Sequence, residues 1–209
     1  MAQFFQVHPV NPQSRLIHQT AEIVRRGGVV AYPTDSSYAL GCSVGNKQAL
    51  KRIRRIRRVD GDHNFTLVCK DLAELSLYAR IDNEEYRLLR RLTPGPYTFI
   101  LPATREVPRI MQHPKRKTIG LRVPDFPIVT ALLAELGTPI MSSTLIMPGA
   151  TLPMNDAEEI REVLEHDVDL VLDGGPCDIE PTSVIDLQQG VPVVRRVGKG
   201  DVSEFQDQG

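Results

Sequence analysis

Hydrophobic positions recur along the chain with two periods, and segments of the two kinds alternate through most of its length. Residues 14–27 place Ile17, Ala21 and Val24 at helical spacing and end at Gly27-Gly28, which predicts a helix with a defined stop. Residues 29–33 and 38–44 are short and largely apolar, which predicts two buried strands. The chain therefore begins with a helix followed by paired strands.

The same two patterns continue to the C-terminal end. Further helices are predicted over 71–79, 82–92, 126–136 and 156–165, and further strands over 65–69, 98–101, 118–124, 139–144 and the late segments DLVL, TSVIDL and VPVVRRV. Asn155 and Glu158 form a capping-box-like start for the helix over 156–165. No internal repeat, low-complexity segment or linker interrupts the pattern. The sequence predicts a single α/β domain with a twisted, open, mixed sheet flanked by helices.

One more predicted helix, capped by Asn46, carries a dense run of positive charge. Seven of the twelve residues from Lys47 to Arg58 are basic and none is acidic. At about 100° per residue, one side of the helix is apolar and the opposite arc holds Lys47, Lys51, Arg54, Arg55 and Arg58. Arg57 falls within the apolar arc. Because a buried, unpaired guanidinium is costly, we expect Arg57 to point into a polar cleft at the helix end.

The charge of the whole chain is distributed unevenly. The formal net charge is -1, but residues 1–122 carry 21 Lys and Arg against 10 Asp and Glu, whereas residues 123–209 carry 4 against 16. Nineteen of the 25 basic residues are Arg, whose planar fork matches phosphate oxygens. The basic half is therefore the expected site for an anionic ligand such as a nucleotide or nucleic acid. The alternative is a solvated helix face that only maintains solubility.

Several classes of protein are disfavoured by what the sequence lacks. No apolar run approaches the roughly 18 residues of a membrane span, and the N-terminus does not resemble a secretory signal, so we expect a cytoplasmic protein without membrane contact. The three cysteines and five histidines are scattered, which predicts reduced thiols and no tightly held metal. The patterns GxxxxGK[ST], GxGxxG and GxSxG are missing. An anion site must then be built from arginines, hydroxyls and loop amides.

Hydroxyl-bearing residues follow two of the predicted strands. One group is Tyr32-Pro33-Thr34-Asp35-Ser36-Ser37 and the other is Ser142-Ser143-Thr144. Ligands of open α/β sheets bind beyond the carboxyl ends of strands, so both groups are candidates for contact with phosphate or a small polar substrate. Their alternative interpretation is the capping of turns.

Together these segments resemble a known family. The residues that carry the resemblance are YPTDSSYALGC (32–42), TPGPYTFIL (93–101), GLRVP (120–124), PIMSST (139–144), TSVID (182–186) and VVRRVG (193–198). They occur in the order found in the YrdC/YciO family of threonylcarbamoyl-AMP synthases, with most similarity to its YciO branch. The resemblance covers residues 14–198, the predicted domain, and leaves 1–13 and 199–209 as terminal extensions.

The resemblance implies a fold and an activity. The fold would be a twisted open α/β sheet with a basic concave cavity on one face. The activity would be nucleotidyl transfer, in which threonine, bicarbonate and ATP become threonylcarbamoyl-AMP and pyrophosphate, for the threonylcarbamoyladenosine modification of tRNA. Magnesium would arrive with ATP, and no cofactor would be tightly bound. Members of the family have also been regarded as RNA binders because of the basic cavity.

The resemblance also implies site residues. Thr34 corresponds to a threonine-contacting hydroxyl, and Ser142 and Thr144 to hydroxyls of a Ser-Thr-Ser-Ala-Asn motif. Ser183 and Arg196 correspond to late substrate- and nucleotide-facing residues. No general acid or base is assigned.

Two motifs depart from the family pattern. Arg55 and Arg57 occupy a phosphate-handling Lys-x-Arg-Pro motif, where Arg55 replaces the lysine and Arg58 the proline. Ile146 replaces the asparagine of the Ser-Thr-Ser-Ala-Asn motif, and an isoleucine side chain offers no hydrogen bond. These departures predict nucleotide binding with weak or altered synthase activity.

Two alternative functions are kept beside this one. The first is a non-catalytic protein that binds tRNA or double-stranded RNA, with phosphate contacts from Lys51, Arg52, Arg54, Arg58 and Arg122. The second is an enzyme that acts on another phosphorylated small molecule. We expect a monomer or a weak dimer in each case.

Overall fold

The structure, a computed structural model, describes residues 1–59, 63 and 65–206. Its strands are β1 (Gln3–Gln6), β2 (Val30–Tyr32), β3 (Ala39–Ser43), β4 (Thr66–Val68), β5 (Tyr97–Pro102), β6 (Thr118–Arg122), β7 (Ile140–Thr144), β8 (Leu170–Asp173), β9 (Ser183–Asp186) and β10 (Val193–Arg196). Its helices are α1 (Ser14–Arg25), α2 (Lys47–Arg57), α3 (Leu72–Tyr78), α4 (Asn83–Leu92), α5 (Pro127–Leu136), α6 (Ala157–Leu164) and α7 (Ser203–Gln206). The polar segment that follows α2 in the sequence, residues 59–64, lies mostly outside the described residues.

The described strands form one ten-stranded sheet in the order β1-β8-β2-β3-β7-β4-β6-β5-β9-β10. Parallel pairings such as β4 with β6 and β5 with β9 occur beside antiparallel ones such as β3 with β7. The predicted single α/β domain with an open, mixed sheet is confirmed. Strand β1 lies in the predicted N-terminal extension and yet pairs with β8 at one edge of the sheet.

The two faces of the sheet carry separate apolar clusters because successive side chains of a strand point to opposite faces. Ala31 belongs to the first cluster, together with apolar residues of α2, α3, α4 and α6. Its neighbours Val30 and Tyr32 belong to the second cluster, together with α1 and α5. We call these the first and the second face of the sheet. Helices therefore pack on both faces.

On the second face, α1 and α5 cover only part of the sheet. The apolar cluster there draws its sheet residues from β8, β2, β3, β7 and β4. On β6, β5 and β9 the side chains of this face are Arg122, Thr98 and Val184, and they line a cavity instead. The open part of the second face holds the candidate functional site.

The helix starts depend on specific caps, one of which differs from the prediction. Asn46 caps α2 as predicted, because its side-chain oxygen accepts from the amides of Gln48 and Ala49. Helix α6 is capped by Asp156, which accepts from the Glu159 amide at 3.0 Å, so the predicted cap at Asn155 is wrong. The carbonyl of Asn155 instead accepts from the Cys177 amide.

The fold brings the basic half of the chain against the acidic half. Arg52 forms an ion pair with Asp169, and Arg55 with Asp167. Arg91 likewise pairs with Glu204, which is more than 100 residues away in sequence. The basic run contains no acidic residue of its own, but Arg52 and Arg55 take their counter-charges from distant residues.

Among the helices that the described residues form, none has the length and apolar character needed to cross a membrane.

Asp169 and Asp167 make a matched pair for a test of stability. Asp169 accepts from the Val29 amide at 2.7 Å and from Arg52, whereas the one partner of the Asp167 carboxylate among the described residues is the exposed Arg55. Asp169→Ala is expected to lower the free energy of unfolding by about 1–3 kcal/mol, because it leaves a partly buried amide without its acceptor. Asp167→Ala is expected to cost at most about 1 kcal/mol. Urea unfolding measures both, and equal losses would contradict this assignment.

Candidate functional site

The second face of the sheet carries a cavity of about 260 Å³. Its floor follows from the strand register. Ser142, Thr66 and Gly120 stand opposite one another on β7, β4 and β6. A Cβ atom at Gly120 would lie 2.8 Å from the Thr66 hydroxyl oxygen and 3.0 Å from the Phe65 carbonyl oxygen. Glycine at this position therefore keeps the floor open.

Arg57 reaches the cavity from the end of α2. Its Nη1 donates to the Ser143 hydroxyl at 2.7 Å and also to the Thr144 carbonyl. His63 Nε2 lies 3.3 Å from the same Ser143 hydroxyl. The expectation that Arg57 points into a polar cleft is confirmed. Burial lowers the pKa of Arg57, and no carboxylate among the described residues pairs with it.

A second arginine occupies the opposite end of the cavity. Arg196 donates from Nε to the Thr182 carbonyl at 2.9 Å and from Nη2 to the Thr182 hydroxyl at 3.1 Å. The Thr182 and Thr98 hydroxyl oxygens are 2.9 Å apart. Burial lowers the pKa of Arg196, and repulsion from Arg122 lowers it further. Within the described structure this guanidinium also has no carboxylate partner.

The third arginine is the most deeply placed. Arg122 forms an ion pair with Asp35, and both side chains are about nine-tenths buried. Asp35 also accepts from the Asp125 amide at 3.1 Å. Burial lowers the pKa of Arg122, an effect that the Asp35 carboxylate opposes. The Nε atoms of Arg122 and Arg57 are buried, and neither has a hydrogen-bond acceptor among the described residues.

The hydroxyls that line the cavity are not equally available. The Thr34 oxygen accepts from the Ser36 and Ser37 amides, and its hydroxyl donates to the Ser37 carbonyl at 2.7 Å. In this structure Thr34 caps its own turn, as the alternative interpretation of the hydroxyl group predicts. The Ser142 oxygen accepts from the Tyr32 hydroxyl at 2.8 Å, and its own proton has no acceptor among the described residues. Burial raises the pKa of Tyr32 to about 12, so Tyr32 stays a donor at neutral pH.

The structure brings together about half of the predicted site residues. Those that line the cavity are Thr34, Arg57, Ser142, Thr144, Arg196 and Arg122, and Ile146 lines it as well. The residues outside the cavity are Arg55, Ser183, Lys51, Arg52, Arg54 and Arg58. The last four were predicted to bind RNA or phosphate, and that assignment remains a prediction.

Ser183 is placed differently from the prediction. It is fully buried, and its hydroxyl donates to the Gly200 carbonyl at 2.6 Å and accepts from the Gly198 amide at 2.9 Å. Its neighbour Thr182 faces the cavity instead. The side chains of neighbouring residues in an extended chain point in opposite directions. The Thr182 hydroxyl therefore faces the cavity, and the Ser183 hydroxyl holds the backbone on the other side.

The α2 cations are also placed differently. Arg55 lies about 200° around the helix from Arg57 and therefore faces Asp167, away from the cavity. Arg54 stacks on the Phe65 ring at 5.2 Å, and Arg52 is held by Asp169. Lys51 and Arg58 are exposed. Only Arg57 carries the charge of α2 into the cavity.

Four polar residues of the cavity were missed in the sequence: His63, Thr66, Thr98 and Thr182. The threonines do stand in or beside predicted strands, but only the pairing of the strands sets them side by side. No acidic side chain is among the described residues that line the cavity. The described residues also contain no group of three or more His, Cys, Asp or Glu placed to hold a metal ion. Guanidinium groups and hydroxyls without carboxylates favour an anionic ligand with several acceptor oxygens.

Comparison with known proteins agrees with this architecture. A family model named Sua5_yciO_yrdC and described as telomere recombination matches residues 22–198. The uncharacterised protein YciO of Escherichia coli K12 is 55% identical over 98% of this chain and 100% of its own length. A crystal structure of E. coli YciO superposes with a TM-score of 0.95, covering 98% of this chain and 100% of the other.

More distant relatives have named activities or ligands. A threonylcarbamoyl-AMP synthase of Bacillus subtilis is 31% identical over 87% of this chain and 53% of its own length. The protein Sua5 of P. abyssi, in a structure complexed with L-threonine, is 27% identical with a TM-score of 0.89, over 98% of this chain and 60% of that one. The family match, the near full-length identity and the shared fold agree. The chain belongs to the Sua5/YciO/YrdC family.

Proposed function

We propose that the cavity binds ATP or a related nucleotide together with a small polar substrate, and that the chain forms threonylcarbamoyl-AMP slowly or acts on a related substrate. The observation that carries the proposal is the pair Arg57 and Arg196, two half-buried guanidiniums at opposite ends of the cavity with no carboxylate partner among the described residues. A polyphosphate ligand supplies the missing negative charge. The named activity of the distant relatives supports the choice of reaction.

The span of the cavity agrees with a ligand of nucleotide size. Arg57 contacts β7, and Arg196 contacts Thr182 beside β9. Four strand spacings separate β7 from β9, which is roughly 19 Å along the sheet. A single phosphate ion is too small to reach both guanidiniums. An extended nucleotide has negative charge at one end and polar atoms along its length.

The reaction makes electrostatic demands that these residues meet. Transfer of a nucleotidyl group depends chiefly on the positioning of phosphates and the stabilisation of their charge. Arg57 would neutralise phosphate oxygens, and the Ser142 hydroxyl would donate to a ligand at the floor. Magnesium would enter as part of the nucleotide substrate. Ile146 presents methyl groups to the cavity at a position where a hydrogen-bond donor would hold the substrate, which is why we expect a slow reaction.

Arg57 and Arg55 provide a matched test of nucleotide binding. Arg57→Ala is expected to weaken ATP binding at least about tenfold, because hydrogen bonds to charged groups contribute about 1.5–3 kcal/mol. Arg55→Ala removes the same charge from the other side of α2 and is expected to leave the affinity within about twofold of wild type. Isothermal titration calorimetry measures both. Equal losses of ATP affinity in the two variants would show that Arg57 and Arg55 contribute only general surface charge.

Ile146 provides a test of the reaction itself. Ile146→Asn is expected to raise the rate of threonylcarbamoyl-AMP formation by roughly fivefold or more, since one hydrogen bond contributes about 1 kcal/mol. Ile146→Val, which keeps an apolar side chain, should leave the rate unchanged. Product and pyrophosphate are measured with ATP, threonine and bicarbonate. A wild type as fast as the asparagine variant would show that this position does not limit the reaction.

A second candidate function, the binding of RNA, is favoured by a basic turn near the cavity. Lys115, Arg116 and Lys117 are exposed, and none forms an ion pair in the part of the chain that the structure describes. His113 Nδ1 accepts from the Lys115 and Arg116 amides and so fixes the turn. The turn leads directly into Thr118 of β6. We call residues 115–117 the basic turn.

The strand register puts the basic turn beside the Arg57 end of the cavity. Ser142 and Gly120 lie in one row across the sheet, on either side of Thr66. Thr144 and Thr118 both lie two residues beyond that row in the same direction, because β7 runs antiparallel and β6 parallel to β4. Two strand spacings separate them, which is roughly 10 Å. A phosphate backbone that contacts the basic turn would therefore pass the mouth of the cavity.

The basic turn gives a salt-dependence test with a matched control. Duplex RNA binding should weaken steeply with salt, and Lys115→Gln with Arg116→Gln should reduce the slope of log affinity against log salt by about 1–2. Arg87→Gln with Arg90→Gln removes two exposed charges of α4 and should leave the slope unchanged. Fluorescence anisotropy across a salt series measures both slopes. A flat salt dependence of the wild type would rule out this mode of binding.

A further inference from the structure

Residues 198–200, at the end of the family match, are held beside the cavity by hydrogen bonds. The Gly198 amide donates to the Ser183 hydroxyl, and the Lys199 amide donates to the Pro181 carbonyl at 3.0 Å. The Ser183 hydroxyl in turn donates to the Gly200 carbonyl at 2.6 Å. A Cβ atom at Gly198 would lie 2.2 Å from the Pro181 carbonyl oxygen, so this close approach requires glycine. The backbone of residues 198–200 is therefore held against the segment that carries Thr182.

The side chain of Lys199 extends from this fixed backbone to the other side of the cavity. Its Nζ donates to the Asp35 carbonyl at 2.8 Å and forms an ion pair with Asp178 at 3.3 Å. Asp35 is 164 residues earlier in the sequence and lies in the turn between β2 and β3. Lys199 thus joins the end of the chain to the turn of residues 34–37. Thr34 and Ser37 of this turn line the cavity, and so does Arg122, the partner of Asp35.

Asp35 is the residue through which this contact reaches the ligand site. Its carboxylate pairs with Arg122, which lines the cavity, and accepts from the Asp125 amide. The preceding residue, Thr34, lines the cavity and organises the Ser36 and Ser37 amides. A lysine that holds the Asp35 backbone consequently fixes the direction of the carboxylate and the orientation of Arg122.

We propose that Lys199 is a positioning residue for the cavity, which latches the turn of residues 34–37 and so sets the orientation of Arg122 toward the ligand. The ammonium group suits this role because it donates to a carbonyl and a carboxylate at once. Both partners in the Lys199–Asp178 pair are about two-fifths exposed, so the latch is open to solvent and sensitive to salt. The consequence for ligand affinity rests on the proposed nucleotide site; the latch itself does not.

The latch is tested without ligand by amide hydrogen exchange, followed by NMR. Lys199→Gln should speed exchange of the Ser37 and Asp125 amides about tenfold, because both depend on the placement of residues 34 and 35. Lys199→Arg should restore slow exchange. Arg87→Gln, a substitution of an exposed cation on α4, should have no effect. Unchanged exchange in Lys199→Gln would overturn the latch.

The effect on the cavity is tested by titration with ATP. Lys199→Gln should weaken binding by about fivefold, and Lys199→Arg should recover most of it. Faster exchange with unaltered ATP affinity would overturn the positioning role. If wild type binds no ATP while Lys199→Gln still speeds exchange, the proposed nucleotide site fails and the latch stands. A loss of affinity in Lys199→Gln that Lys199→Arg does not recover would also overturn the role, since it would reflect general damage to the fold.

Discussion

The site depends on guanidinium groups that are partly removed from water and held by neutral oxygens. Arg57 is fixed by a serine hydroxyl and a carbonyl, and Arg196 by a threonine hydroxyl and a carbonyl. Neutral acceptors orient a guanidinium but leave its charge uncompensated. Burial disfavours that charge, as the lowered pKa values of Arg57 and Arg196 indicate. The proposed anionic ligand would relieve this cost.

Some other arginines of the chain pair with carboxylates. Arg52 and Arg55, on the same helix as Arg57, find carboxylates contributed by the chain around β8. Distant carboxylates therefore neutralise part of the basic helix, whereas Arg57 on the same helix meets no carboxylate among the described residues. Net charge alone could not show this division. It is a property of which face of the helix each arginine occupies.

The turn of residues 34–37 connects the C-terminal segment with the arginines of the cavity. Among the described residues, Asp35 is the one carboxylate that pairs with an arginine of the cavity. The Asp35 backbone carbonyl in turn accepts a hydrogen bond from Lys199 in the C-terminal segment. Arg122 is consequently less available to neutralise a ligand than Arg57 or Arg196, but its buried Nε still lacks an acceptor. We infer a division of roles in which Arg122 shapes the floor and the other two arginines provide most of the attraction.

The sequence by itself determined the element types between residues 14 and 198, the capped basic helix and the unusual placement of Arg57, because these follow from periodicity and from local hydrogen bonds; the terminal elements β1 and α7 were not predicted. Motif order identified the family, which the comparisons confirmed. Only the tertiary structure decided that Thr182 and not Ser183 faces the cavity, because strand alternation reverses the direction of neighbouring side chains. Only the pairing of distant strands set Thr66, Gly120 and Ser142 in one row. Long-range contacts such as Arg55 with Asp167 and Lys199 with Asp35 have no local signal, since their partners are more than 100 residues apart.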